Sequence, residues 1–117
     1  MSLTDQQKSF FKNAFGDFWP FLHQVDVERD DLMRSMEAQF AQLGVYSVGP
    51  WFGKLLFLLV RFGGVKRALE FGTATGYSAV WIGRGLESAG KLTTIERDSK
   101  LAEVARENMA RAGLREQ

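Results

Sequence analysis

The segment Leu69-Glu70-Phe71-Gly72-Thr73-Ala74-Thr75-Gly76-Tyr77-Ser78 constrains this chain more than any other. Val65 to Phe71 is short and mostly apolar, the pattern of a buried strand, and Ser78 to Leu86 reads as a helix. Gly72 and Gly76 bracket the turn between them, and neither carries a Cβ that would hold a ligand away from the backbone. The turn opens on a helix N-terminus, where unpaired N–H groups and the helix dipole favour an anionic or polar group. Glu70 closes the first strand beneath the turn. Lys91 to Glu96 is a second strand, rich in β-branched residues, and it too ends on an acid. A carboxylate at Glu96 is placed to accept hydrogen bonds from both hydroxyls of a ribose. Both acids fall at the carboxyl ends of strands, where open α/β sheets bind ligands.

The spacing restricts the ligand. A dinucleotide turn reads G-x-G-x-x-G, with three glycines around a pyrophosphate. Here the pattern is Glu-x-Gly-x-x-x-Gly, with Thr-Ala-Thr between two glycines. The ligand should be smaller and lack a pyrophosphate. S-adenosylmethionine meets that description, with Glu70 and the turn facing its amino-acid part and Glu96 its ribose. The plainer alternative is a tight strand-to-helix turn, with Glu96 a solvated strand end.

Around this unit the chain reads as helices. Phe10, Phe11, Ala14, Phe15 and Phe18 recur at helical spacing between Thr4 and Trp19, and Pro20 ends that helix. A second helix is expected over Val27 to Leu43, stopped by Gly44. Pro50 suits the first turn of a third, running to about Phe62 with Leu55, Leu56, Leu58 and Leu59 buried. Ser99 to Arg111 is amphipathic and ends at Gly113; Glu103, Arg106, Glu107 and Arg111 have the spacing of surface ion pairs. From Val65 onward the order is strand, helix, strand, helix, which argues for a parallel sheet with helical crossovers. Two strands do not complete such a sheet. The chain is therefore expected to be the N-terminal part of a longer protein.

Composition removes other classes. Fifteen basic and 14 acidic residues leave a net charge of +1, which gives no electrostatic footprint for nucleic acid or an anionic membrane. Cysteine is absent, so disulfides and thiolate metal sites are excluded. The N-terminus lacks the layout of a secretory signal, and the longest apolar run, Leu55 to Val60, is too short to span a bilayer. A cytoplasmic protein is expected. His23, the one histidine, has no recognisable acid–base partner and reads as a surface or capping residue. The aromatic set Phe10, Phe11, Phe15, Phe18, Trp19 and Phe21 reads as the packed face of a helix. Its density also admits an acceptor lid or a homodimer interface.

The sequence from Ala68 to Ser78 resembles the signature of the small class I O-methyltransferases related to catechol and caffeoyl-CoA O-methyltransferases. The ending Gly76-Tyr77-Ser78 is the part that marks this group. The resemblance takes in Gly49 to Leu56, Lys91 to Asp98 and the helix from Leu101 to Gly113, about Leu32 to Leu114 in all. It implies an α/β Rossmann-like methyltransferase fold, here incomplete, with residues 1–47 a helical region and 48–117 the first half of the cofactor domain. It places cofactor contacts on Val48, Glu70, Gly72, Thr73, Gly76, Tyr77, Ser78 and Glu96. Val48 and Glu70 would meet the methionine end, Ser78 the carboxylate and Glu96 the ribose. Gly72 and Thr73 would wall the turn, while Tyr77 either contacts the cofactor or braces the turn.

Two departures stand out: Val48, where many relatives carry Thr, Ser or Met, and Trp51-Phe52, in place of an acidic or polar pair. The resemblance implies methyl transfer to a hydroxyl of a small acceptor. In the family, catalytic residues and the ligands of a divalent metal such as Mg follow later strands, which this chain does not reach. The isolated chain is expected to bind cofactor weakly at best and not turn over. Two rivals stay open, an NAD-type oxidoreductase and a non-catalytic binding or dimerisation module.

Overall fold

A computed structural model of the 117-residue chain describes Ser9 and residues 26–114. The expected first helix, His23 and the aromatic set from Phe10 to Phe21 lie outside the described residues. The first element described in full is α1, Asp31–Leu43. It begins later than Val27 because the Asp30 carboxylate caps it, accepting from the Met33 N–H at 3.0 Å. Gly44, in the left-handed region at φ 64°, ends it. Helix α2, Gly49–Phe62, carries Pro50 in its first turn. Strand β1, Arg67–Phe71, is followed by α3, Tyr77–Gly85, then β2, Lys91–Ile95, and α4, Ser99–Arg111. Asp98 caps α4 through the N–H groups of Lys100 and Leu101.

The two strands pair in parallel, from Arg67 opposite Lys91 to Phe71 opposite Ile95. The α/β class and the strand–helix–strand–helix order are those expected. Helix α3 is the hub, and seven of its nine residues are buried. One cluster joins Met33 and Met36 of α1 to Tyr77, Val80 and Trp81 of α3, with Val27 and Leu114. A second joins Val60 of α2 to Ala79, Ile82, Leu86 and Leu92. Helices α2 and α3 approach closely through glycine: Gly53 lies against the Trp81 indole, and Gly85 lies against the Phe57 carbonyl and Val60.

The sheet shows alternation on both strands. Ala68, Glu70, Leu92 and Thr94 face the covered side, while Leu69, Phe71 and Ile95 are exposed. The expected burial of α2 is corrected: Leu55, Leu58 and Leu59 are exposed, Leu56 is half-buried, and Gly53 and Val60 are the buried residues. The leucine-rich side of α2 stays exposed, and the side that packs is the one whose glycine permits close approach to α3. No ion pair forms within α4 either. Arg111 instead bonds Asn108 of its own helix and Ser35 of α1.

Candidate functional site

The residues expected to bind a ligand converge at the carboxyl ends of β1 and β2. The turn is built by backbone geometry. The N–H groups of Gly72 and Thr73 both donate to the Ile95 carbonyl, at 2.9 and 3.3 Å, which carries the strand pairing into the turn. Gly72 and Gly76 sit at φ 87° and 88°, the left-handed region that glycine enters at little cost. Gly76 also caps α3, accepting from the Val80 N–H at 2.9 Å. Ala74 is a non-glycine residue at positive φ, 48°. Its N–H donates to the Glu96 carboxylate at 2.8 Å, so the unusual conformation aims a donor at the acid that ends β2.

Glu96 is held from both sides. Its second oxygen accepts from the Asp98 N–H at 2.9 Å. These bonds, Asp98 first and Ala74 second, hold the Glu96 carboxyl below the usual carboxylate range. It is therefore an ionised acceptor of fixed orientation, with lone pairs to spare beside the turn.

Glu70 anchors a polar network beneath the same turn. It accepts from Ser78 Oγ at 2.5 Å on one oxygen and from Thr94 Oγ1 at 2.7 Å on the other. Thr73 Oγ1 lies 2.5 Å from Thr94 Oγ1. Since the single Thr94 proton goes to Glu70, Thr73 must be the donor in that contact. The chain of protons runs from Thr73 to Thr94 to Glu70, and Ser78 points its own proton at Glu70. In this state Ser78 offers a ligand only lone pairs, and donation to a cofactor carboxylate requires its hydroxyl to turn away from Glu70.

Val48, Gly72, Thr73, Ala74, Tyr77 and Ser78 line a cavity of about 170 Å³. A Cβ built on Gly72 meets nothing within 4 Å, so the wall is open there. Val48 enters as the residue preceding α2. Tyr77 braces the wall: it is buried, donates to Glu37 at 2.6 Å and meets Phe40 and Trp81 edge-on. Burial, and then the bond to Glu37, push its phenol pKa up. On the far side of Thr73, a hollow of about 480 Å³ runs past Thr94, Glu96, Arg106 and Met109. Gly76 and Glu70 stand behind the walls rather than in them. Sequence reasoning singled out neither Ala74 nor Thr94 individually; the alternation of β2 could have put Thr94 beside Glu70, and nothing local marks Ala74.

No group of three or more His, Cys, Asp or Glu residues is gathered to hold a metal among the described residues. Among the same residues no helix is long and apolar enough to cross a membrane.

Known proteins resemble this chain in sequence and fold. A family model described as O-methyltransferase matches residues 25–117. The chain is 42% identical over 90 residues to a catechol O-methyltransferase of Niastella koreensis, covering 75% of this chain and 41% of that one. It is also 42% identical over 74 residues to a catechol O-methyltransferase of Mycobacterium tuberculosis, covering 63% and 34%. An O-methyltransferase from Bacillus cereus, solved in complex with SAH, superposes with a TM-score of 0.74 at 33% identity, covering 88% of this chain and 48% of that one. The O-methyltransferase TomG of Streptomyces achromogenes, solved with SAM, gives 0.74 at 30% identity, covering 89% and 48%. The chain thus spans less than half the length of these relatives. The match covers the turn, both acids and every element described, and the chain belongs to the O-methyltransferase family.

Proposed function

We propose that this chain forms the S-adenosylmethionine-binding part of an enzyme that methylates a hydroxyl of a small acceptor. The observation that carries the reading is the Glu96 carboxylate, ionised and fixed by the Ala74 and Asp98 N–H groups beside an open glycine turn. A carboxylate so held accepts from both ribose hydroxyls without first being ordered, which lowers the entropic cost of binding. Val48, Gly72, Thr73 and Ser78 take the methionine end in the smaller cavity, with Tyr77 as its brace. Glu70 acts from beneath by fixing Ser78 and Thr94, and Gly76 shapes the turn.

When bound, the cofactor supplies an electrophilic methyl group on a sulfonium. This chain's residues hold it in one pose, so that an acceptor hydroxyl meets it in line; proximity and orientation supply the rate. No cluster of His, Cys, Asp or Glu among the described residues fits a divalent ion. Residues 48–117 are the first part of the cofactor domain and 1–47 the helical region before it. A cytoplasmic setting, no nucleic-acid partner and homodimerisation complete the reading.

Calorimetric titration of the chain with S-adenosylmethionine, S-adenosylhomocysteine and NAD tests this. The two adenosyl ligands bind, NAD does not, and Glu96→Ala abolishes the heat. Binding of NAD in their place, or of none of the three, overturns the reading.

A further inference from the structure

Asn108 is 1% exposed, in the third turn of α4, and takes no part in the site described above. Its amide is almost fully used. Nδ2 spends one proton on the Thr75 carbonyl at 3.0 Å and the other on Gln39 Oε1 of α1 at 2.9 Å. Oδ1 accepts from Arg111 at 3.2 Å, and the same guanidinium reaches Ser35 of α1 at 3.1 Å. Thr75 is the residue before Gly76, so this carbonyl belongs to the peptide unit that enters the left-handed cap of α3. One helical turn before Asn108, Ala105 supports the same spot: a Cβ on Gly76 would lie 3.4 Å from Ala105 Cα and Cβ. The turn therefore rests on a floor made by α4, with one polar bolt through it.

We propose that Asn108 is a positioning residue for the cofactor turn, coupling its geometry to the packing of α1 against α4. This rests on the cofactor reading above for its consequence, but not for its geometry. Without the Asn108 donor, the buried Thr75 carbonyl has no partner from α4, and the peptide between Thr75 and Gly76 is free to rotate. Such rotation displaces the Gly76 N–H from the Thr73 carbonyl, 2.8 Å away, and with it the neighbouring Ala74 N–H that holds Glu96. The cofactor wall would then loosen although no residue touching the cofactor had changed. Asn108→Asp is the sharper variant, because it sets a carboxylate against two oxygens that now receive protons.

The test compares Asn108→Leu with Leu86→Ala, a core truncation in the second cluster, which takes in no residue of α1, at matched global stability. Amide hydrogen exchange of each residue is followed by NMR, with S-adenosylhomocysteine affinity measured in parallel. Asn108→Leu is expected to speed exchange selectively at Ala74 and Gly76 and to weaken affinity roughly tenfold, while Leu86→Ala leaves both near wild type. Should Asn108→Leu fail to fold, Gln39→Met combined with Arg111→Met releases the amide from its outer partners and shifts the same two amides by a smaller factor. Equal acceleration at all amides, or none at Ala74 and Gly76, overturns the proposal. If wild type binds no adenosyl ligand while the turn amides respond as expected, the cofactor reading fails and the positioning role stands.

Discussion

At the scale of single residues, the site depends on which oxygens already have protons pointed at them. Glu96 has a depressed pKa because Asp98 and Ala74 donate to its ionised form. Its stabilising contribution is fully present above its ordinary value of 4.5 and is lost as pH falls through the lower folded value. Adenosyl-ligand affinity should therefore be flat from neutral pH down to about pH 5, where an unperturbed carboxylate would begin to protonate. Calorimetry across that range checks it, and a loss of affinity centred above pH 5 counts against Glu96 as the ribose acceptor. Thr94 carries a different prediction. Thr94→Val keeps the shape but removes the donor to Glu70 and the acceptor for Thr73. A urea midpoint lowered by the equivalent of ~1–2 kcal/mol is expected, with ligand affinity down several-fold. Unchanged affinity would mean that Glu70 needs only Ser78. Of these residues, Glu70 and Glu96 are legible in the sequence because a strand end is a local feature. The roles of Thr94 and Asn108 depend on partners 24 and 33 positions away, and no local spacing encodes them.

At the scale of elements, glycine-marked turns and helix ends are legible in the sequence, whereas the cap at Asp30 and the choice of a packing face are not. Ser99 to Arg111 matches α4 at both ends: Gly113 is the boundary signal after it, and the structure adds the Asp98 cap before it. The expectation for α2 fails because Leu55, Leu58 and Leu59 mark its most apolar side, whereas the side that packs carries Gly53 and Val60. Its orientation follows instead from Gly53 and Gly85, which allow α2 and α3 to meet at near backbone contact. Two opposing effects attend Gly53→Ala. Alanine is the better helix former by ~1 kcal/mol. Yet its methyl group would fall inside the Trp81 indole, which is buried and has Phe57 edge-on at 6.5 Å, so retreat is obstructed. Overpacking of this kind costs ~1–3 kcal/mol, and the clash should win. Chemical denaturation is expected to show a net loss of stability with tryptophan fluorescence shifted in the native baseline. A gain in stability would show that the indole moves aside freely and that the glycine contact does not set the docking of α2.

At the scale of the whole molecule, the two clusters around α3 hold most of the core among the described residues, while a large apolar area stays outside them. Phe62 is 84% exposed, Phe71 76%, and Leu59 and Leu69 60% each. They come from two places, the outer side of α2 and the open face of the sheet, so they do not read as a single misplaced side chain. Single exposed leucines are ordinary, but exposed apolar side chains grouped on one helix side and one sheet face favour association. The net charge of +1 supplies almost no long-range repulsion to oppose it. Sedimentation velocity of the 117-residue chain should therefore show a weight-average mass that climbs with concentration, and added salt should not reverse it. Leu59→Lys with Phe62→Lys places two like charges on the outer side of α2, where neither residue contributes to either buried cluster. That pair should shift the distribution toward monomer while leaving the far-ultraviolet circular dichroism and the urea midpoint near wild type. If the wild-type chain stays monomeric across the accessible concentrations, the exposed apolar surface is not sticky in solution. If instead the double variant unfolds, α2 packs through a face other than the one carrying Gly53 and Val60.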